Sequence, residues 1–312
     1  MLFDFQNIFI WISSLLFGFT GYFMKIIVNA DDFGISRTVN RAVIDGIKNG
    51  ILTSVSVIPN MPAFEDAMRK FNTVENIGLG IHLNISEYKS KLRTKEKNSK
   101  LYDNQGKFNN NFFQILTKSN DEDFMFEVEH EFRSQIEAVL KYAQPDHLNS
   151  HSHIHSIPKI FNLVCKLAKE YGIPAIRTQN EHFYLTEKLK DKTQWKNWLN
   201  NKFYKNFIYR EILKYFSEIN KTTLNKFSLK SNDFSIGIGY SGMMDSEAIK
   251  EGIETIKNQN GILEIICHPD LNEQKLSNLI EYKSICDSEM KKYIENFELI
   301  SFKNHAEQEI PA

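Results

Sequence analysis

Cysteine is scarce in this chain: 312 residues contain three, Cys165, Cys267 and Cys286, an odd number without CxxC spacing. A secreted disulfide framework needs paired, denser cysteines, so that class is excluded and a reducing, cytoplasmic compartment fits. Nor is there an excess of charge of either sign. Thirty-eight Lys and Arg stand against 39 Asp and Glu, a formal net charge of -1. Without a concentrated positive field, no nucleic-acid partner or polyanion substrate is expected. Hydrophobic residues at 42% and charged residues at 25% are globular proportions, which exclude disorder and allow a sizeable core.

Long apolar runs are lacking too, with one exception. Residues 8–23, IFIWISSLLFGFTGYF, are apolar, and residues 1–23 carry a single charge, Asp4. A signal peptide needs Lys or Arg before such a run, and here the first positive residue is Lys25, directly after Met24. Met24 is therefore the expected natural start, with residues 1–23 an apolar extension. The alternative is a membrane anchor, the one membrane contact expected.

From Met24 onward, short apolar runs alternate with amphipathic segments, the pattern of β/α units. Strands are expected at Lys25 to Asn29, Leu52 to Ile58, Ile77 to Leu83, His147 to Ser150, 174–178, Phe234 to Ile238, Leu263 to Cys267 and Leu299 to Phe302. Helices are expected from Ser36 to Gly50, over 121–143, from Pro158 to Tyr171, and across the aromatic-rich stretch 184–230. About eight strands with helices between them predict an irregular (β/α) barrel over residues 24–306, followed by a short tail at 307–312. The charged stretch 89–112 reads as a long surface loop, with Leu101, Tyr102 and Phe108 available to stack on a sugar. Trp195, Trp198, Phe203, Phe207, Tyr209 and Tyr215 mark core packing or a homo-oligomer interface.

Titratable residues gather at the strand ends, which in a parallel barrel converge on one face. They are Asp31 and Asp32 in NADDFG, His82 in GIHLN, His147, His151, His153 and His155 in PDHLNSHSHIH, and His268 in ICHPD. Each alone has a bland reading: a turn-capping pair, a satisfied core histidine, a chance cluster, a lone imidazole. Six of the nine histidines fall in three motifs, and four imidazoles within nine residues place several on one face.

VNADDFG, TSVSVIPNMPAFEDA, IGLGIHLN, PDHLNSHSHIHSIPKIF, YGIPAIR and LEIICHPD, in this order and spacing, resemble the YdjC-like carbohydrate deacetylases. The resemblance runs from about Met24 to the last strand. It implies an irregular (β/α) barrel that removes N-acetyl groups from amino sugars or chitooligosaccharides with a divalent metal ion, Mg2+ or Zn2+. It also implies Asp32, His82 and His151 as metal ligands, Asp31 as general base, His268 as proton donor, and Arg177 near the site. One carboxylate and two imidazoles leave coordination positions open, as catalytic metals require. Asp270 or Glu264 could keep His268 protonated, and His153 is a spare candidate for substrate contact. Asn149 stands where the family commonly has Asp, which predicts a weaker orientation of a ligand.

Two other readings stay open on the residues alone. One is another barrel metallohydrolase, an amidase or a phosphoesterase, which would need further ligands and cations at the face. The other is a carbohydrate-binding protein without catalysis.

Overall fold

The computed structural model describes residues 24–91, 99–108, 110–190 and 201–307. Its eight strands are β1 (Lys25–Phe33), β2 (Ser54–Val57), β3 (Gly78–Leu83), β4 (His147–Ser150), β5 (Ala175–Ile176), β6 (Phe234–Ile236), β7 (Ile262–Cys267) and β8 (Glu298–Leu299). They form one sheet in the order β5-β4-β3-β2-β1-β7-β6, with β8 added on β1. Every pair of strands is parallel. Because β7 follows one edge of β1 from Lys25 to Ala30, β8 takes the other edge at Lys25 and Ile26, ahead of β2, which joins at Asn29.

The sheet curls until its ends meet, and the seam is what makes the barrel irregular. Among the described residues no ladder joins β5 to β6. Instead Ala175 bridges Lys230, and Asn232 exchanges hydrogen bonds with Thr178: its Oδ1 accepts from the Thr178 amide at 2.9 Å and its Nδ2 donates to the Thr178 carbonyl at 2.9 Å.

Eleven helices accompany these strands among the described residues: α1 (Arg37–Asn49), α2 (Phe64–Phe71), α3 (Phe112–Lys118), α4 (Glu122–Leu140), α5 (Pro158–Glu170), α6 (Glu187–Lys190), α7 (Asn201–Phe227), α8 (Ser246–Ile256), α9 (Leu276–Cys286), α10 (Ser288–Ile294) and α11 (Phe302–Glu307). Local chemistry sets their starts. Ser36 caps α1 by accepting from the Val39 amide, worth about 1 kcal/mol, and α5 opens on Pro158, whose missing N–H has no helical partner there to lose.

Side chains alternate along β1. Ile26, Val28 and Ala30 join the main apolar core, while Ile27, Asn29 and Asp31 belong to the other face. At the N-terminal end this face is apolar, with Ile27, Ala175, Ile262, Ile300 and Phe302 packed together. Higher up it becomes polar: Asn29, Ser56, His147, Asn149, Arg177 and Glu264 are fully buried. The apolar run Ile26, Ile27 and Val28 is buried on both faces as expected, and the second face turns polar only from Asn29 onward. Gly80 makes room for this arrangement, since a Cβ there would lie 2.2 Å from His147 Nε2, and Phe302 stacks on the same imidazole at 4.0 Å.

The described residues of the stretch 89–112 do not form a bare surface loop. Leu101, Tyr102 and Phe108 are buried in the core, and Glu131 of α4 ties down Ser90 and the Lys91 amide. Leu101 and Tyr102 therefore do not stack on a ligand, because burying them secures the excursion. Trp195, Trp198 and the Phe203 side chain lie outside the described residues, as do residues 1–23 and 308–312. Phe207 and Tyr209 are half-buried and Tyr215 is exposed. Among the described residues, no helix is long and apolar enough to cross a membrane.

Candidate metal centre and active site

At the C-terminal end of β1 the strand continues to Phe33 instead of stopping at Asn29. Its register with β2 shifts between Ala30 and Phe33, and Asp32 adopts φ 65°. Asp tolerates this left-handed conformation better than most residues. The bulge defeats the strand alternation, so both carboxylates face the same imidazole: Asp31 Oδ1 lies 3.8 Å from His82 Nδ1 and Asp32 Oδ1 lies 3.6 Å from His82 Nε2.

Asp32, His82 and His151 offer one ligand atom each, all within 4.8 Å of one another. His151 Nδ1 is 3.0 Å from Asp32 Oδ1. On the far side of the ring, Nε2 is 3.5 Å from Glu87 Oε1, a residue that nothing in the sequence singled out. Burial lowers the His151 pKa, but Asp32 and Glu87 outweigh it and raise it to about 10. Burial pushes Asp32 up, but His151 and the other two imidazoles hold it below the usual carboxylate range.

Hydrogen bonding fixes the His82 tautomer. Asp31 is ionised, since Arg177 and His82 overcome the effect of burial and keep it far below its ordinary value. It can therefore only accept, and Asn149 must turn its amide nitrogen toward Asp31 Oδ1 (3.2 Å) and Ser56 Oγ (2.8 Å). Asn149 Oδ1 then faces His82 Nδ1 at 2.7 Å, and a carbonyl oxygen only accepts. His82 consequently donates through Nδ1 and presents a lone pair at Nε2. Burial lowers its pKa to about 4, which keeps it neutral, as a ligand must be. Asn149 thus retains the orienting part of the role expected of Asp and gives up the charge. The donor set fits a divalent cation with open positions.

Arg177 follows β5 and is fully buried, so it does not reach a substrate. It clamps Asp31 in bidentate fashion at 2.6 and 2.8 Å and holds Glu264 at 2.6–2.9 Å. Glu264 makes these contacts with Arg177 and is not among the groups that raise His268. Asp270 is also elsewhere: it accepts from the Asn272 amide and lies 3.5 Å from Lys275. The carboxylate beside His268 is Glu281 of α9, 3.6 Å from Nδ1 and accepting from the His268 amide at 2.6 Å. Despite the opposing effect of burial, Glu281 helps raise His268 to about 9. His268 Nε2 lies 4.0 Å from Asp31 Oδ2.

Four histidines in PDHLNSHSHIH go four ways. His147 is a core residue between Asp146 (2.6 Å) and Ser56 (2.9 Å). His155 is buried against Ser150 and Gln179. His151 alone joins the ligand group. His153 lines the cleft above it, and its Nδ1 is buried with no hydrogen-bond partner among the described residues. They fan out because Ser152 and His153 take left-handed conformations, φ 52° and 48°, in the turn at His151–Ser156.

Asp31, Asp32, His82, His151 and His268 line a cleft of about 1180 Å3 whose walls also include Tyr88, Phe112, Tyr209, Asn110, Asn111 and Asn206. A family model described as YdjC-like protein matches residues 25–296. The chain belongs to the YdjC-like family. Two relatives, both named carbohydrate deacetylase, come from Clostridium beijerinckii and Halalkalibacterium halodurans. The first is 38% identical over 55% of this chain and 67% of its own length; the second is 37% identical over 50% and 64%. Across such YdjC-like relatives the aligned stretch spans from 58% to 67% of their length. A solved structure of a candidate cellobiose-phosphate cleavage protein from Enterococcus faecalis V583 superposes with a TM-score of 0.69. It is 22% identical, over 90% of this chain and 98% of its own, a likeness of fold.

Proposed function

We propose that residues 24–306 form one catalytic unit, a metal-dependent N-deacetylase acting on acetylated amino sugars. The observation that carries this reading is the Asp32, His82 and His151 group with the ionised Asp31 on one side and the protonated His268 beyond it. A divalent cation held there would lower the pKa of a bound water and polarise the acyl carbonyl. Two imidazoles in the donor set favour Zn2+ over Mg2+ by ligand type.

Asp31 accepts the proton of the attacking water. Its low proton affinity means it holds that proton only briefly. His268 protonates the departing amine as the C–N bond breaks, giving acetate and the free amino sugar. Asp31 Oδ2 and His268 Nε2 lie 4.0 Å apart, beyond direct hydrogen-bond reach, so return of the proton to His268 requires a bridging water or exchange with solvent. The cleft, larger than the roughly 300–1,000 Å3 of ordinary small-molecule pockets, has aromatic and amide walls suited to an oligosaccharide. Free cysteines, Cys165 and Cys267 among them buried, accord with a cytoplasmic location.

A two-metal phosphoesterase is disfavoured, since among the described residues the only such group is this one and Arg177 is committed to Asp31 and Glu264. The test is acetate release from N-acetylated mono-, di- and oligosaccharides, with metal stripped and restored. Metal-dependent release is expected; binding without release would leave a lectin-like protein.

A further inference from the structure

The turn that carries His151 is held in an unfavourable backbone shape, and the holding comes from a distant part of the chain. Ser152 and His153 are consecutive residues with positive φ, and neither is glycine. Left-handed conformations in ordinary L-residues persist only where surrounding contacts over-determine them. Ser150 contributes from within, its Oγ accepting from the His155 amide at 2.8 Å. External contacts include those of α7, which packs on α5 and on this turn.

One face of α7 carries Tyr209, Leu213, Phe216, Asn220 and Leu224 at helical spacing, with Leu213, Asn220 and Leu224 buried. Two of its polar groups donate to carbonyls of the turn: Tyr209 OH to Ser152 O at 2.6 Å, and Asn220 Nδ2 to Ser156 O at 2.8 Å. The Tyr209 ring is itself fixed edge-on against Phe112 at 5.0 Å. The hydroxyl therefore pulls on the carbonyl of the residue directly after His151, from a rigid mount.

We propose that Tyr209 is a positioning residue for the metal centre: its hydroxyl holds the strained Ser152 turn so that His151 Nδ1 stays against Asp32. The inference rests on Asp32, His82 and His151 being the ligands. Tyr209→Phe keeps the ring and removes only the hydroxyl. Its metal affinity, measured by chelator competition for Zn2+ or Co2+, should fall roughly tenfold, the lower end of what supporting contacts to metal ligands contribute. The visible spectrum of the Co2+ form should change with it.

Rescue separates positioning from general damage. Glycine enters the left-handed region freely, so Ser152→Gly should restore most of the lost affinity when combined with Tyr209→Phe. Unchanged affinity and an unchanged Co2+ spectrum in Tyr209→Phe would overturn the proposal, as would a fall in activity alone or a loss that Ser152→Gly does not relieve. His151→Ala is the control for the underlying reading. If it binds metal like the native protein, the ligand assignment fails; if it loses metal while Tyr209→Phe does not, only the role of Tyr209 fails.

Discussion

Replacing Arg177 by Met tests the buried charge cluster beneath the site. The native guanidinium makes five contacts of 2.6–2.9 Å with two carboxylates, Asp31 and Glu264, and all three groups are essentially without solvent exposure. Counting formal charges, the trio carries -1, and Arg177→Met leaves -2 in the same space. Removing one partner of a buried ion pair typically costs about 3–5 kcal/mol, because the remaining charge cannot regain water. For a chain of this size that is about 5–8 °C in Tm, taking about 2.1 cal/mol/K of unfolding entropy per residue. Urea unfolding of metal-stripped native and variant protein at pH 8 measures it without interference from metal linkage. The sign with pH is fixed. Carboxylates that lose their cation have folded-state pKa values above their unfolded ones, so the variant takes up protons on folding and its deficit shrinks as pH falls from 8 toward 5. Adding Glu264→Gln removes one of the two orphaned charges and should recover a large part of the loss. A variant within about 1 kcal/mol of native at pH 8, or a deficit that grows on acidification, would refute the reasoning.

Glu281→Gln should move the alkaline limb of kcat/KM down from near 9 toward 6.5, because the proposed mechanism uses the protonated form of His268 and Glu281 helps hold its proton; a limb that stays put would remove His268 from the acid role. The same raised pKa means that the His268–Glu281 contact stabilises the fold fully below about 6.5 and that this contribution is lost as pH rises through 9. Gly80→Ala should cost about 1–3 kcal/mol or more, as overpacked cores do. The new Cβ would sit 2.2–2.5 Å from three atoms of the His147 ring, which Phe302 blocks at 4.0 Å. A native urea midpoint would show that the ring has somewhere to go.

The barrel was legible because parallel strands write themselves as short apolar runs, and all eight observed strands overlap expected ones, β4 to the residue. Asp31, Asp32, His82, His151 and His268 were legible because they sit at or just beyond strand ends, where convergence follows from topology. What returns over the rim was not. Glu281 and Tyr209 reach the site from helices, Glu281 thirteen residues beyond its partner His268, and neither helix face announces such a role locally. Glu87 belongs to the loop after β3 and looks like any solvated acid. Asp270 misled for the opposite reason: nearness in sequence to His268 is not nearness in space, since its carboxylate turns to the Asn272 amide. The histidine run misled by its density, because the left-handed turn at Ser152 and His153 disperses the rings.

The placement of β8 has a consequence for how the protein is made. Of the described strands β1 leaves the ribosome first, yet one of its edges stays open until β7 is synthesised at Ile262–Cys267, and the start of its other edge waits for Glu298 and Leu299. Phe302, which plugs the bottom of the barrel and donates its amide to Ser54 Oγ at 3.0 Å, comes later still. Contacts of such sequence separation form slowly, so after β2 pairs with its Asn29 end the nascent chain carries β1 with one edge open until β7 has been made. Chaperone demand and aggregation during expression should therefore track the length of time before residue 302 emerges, and slowing synthesis between β6 and β8 should lower the yield of folded protein more than an equal delay near β2.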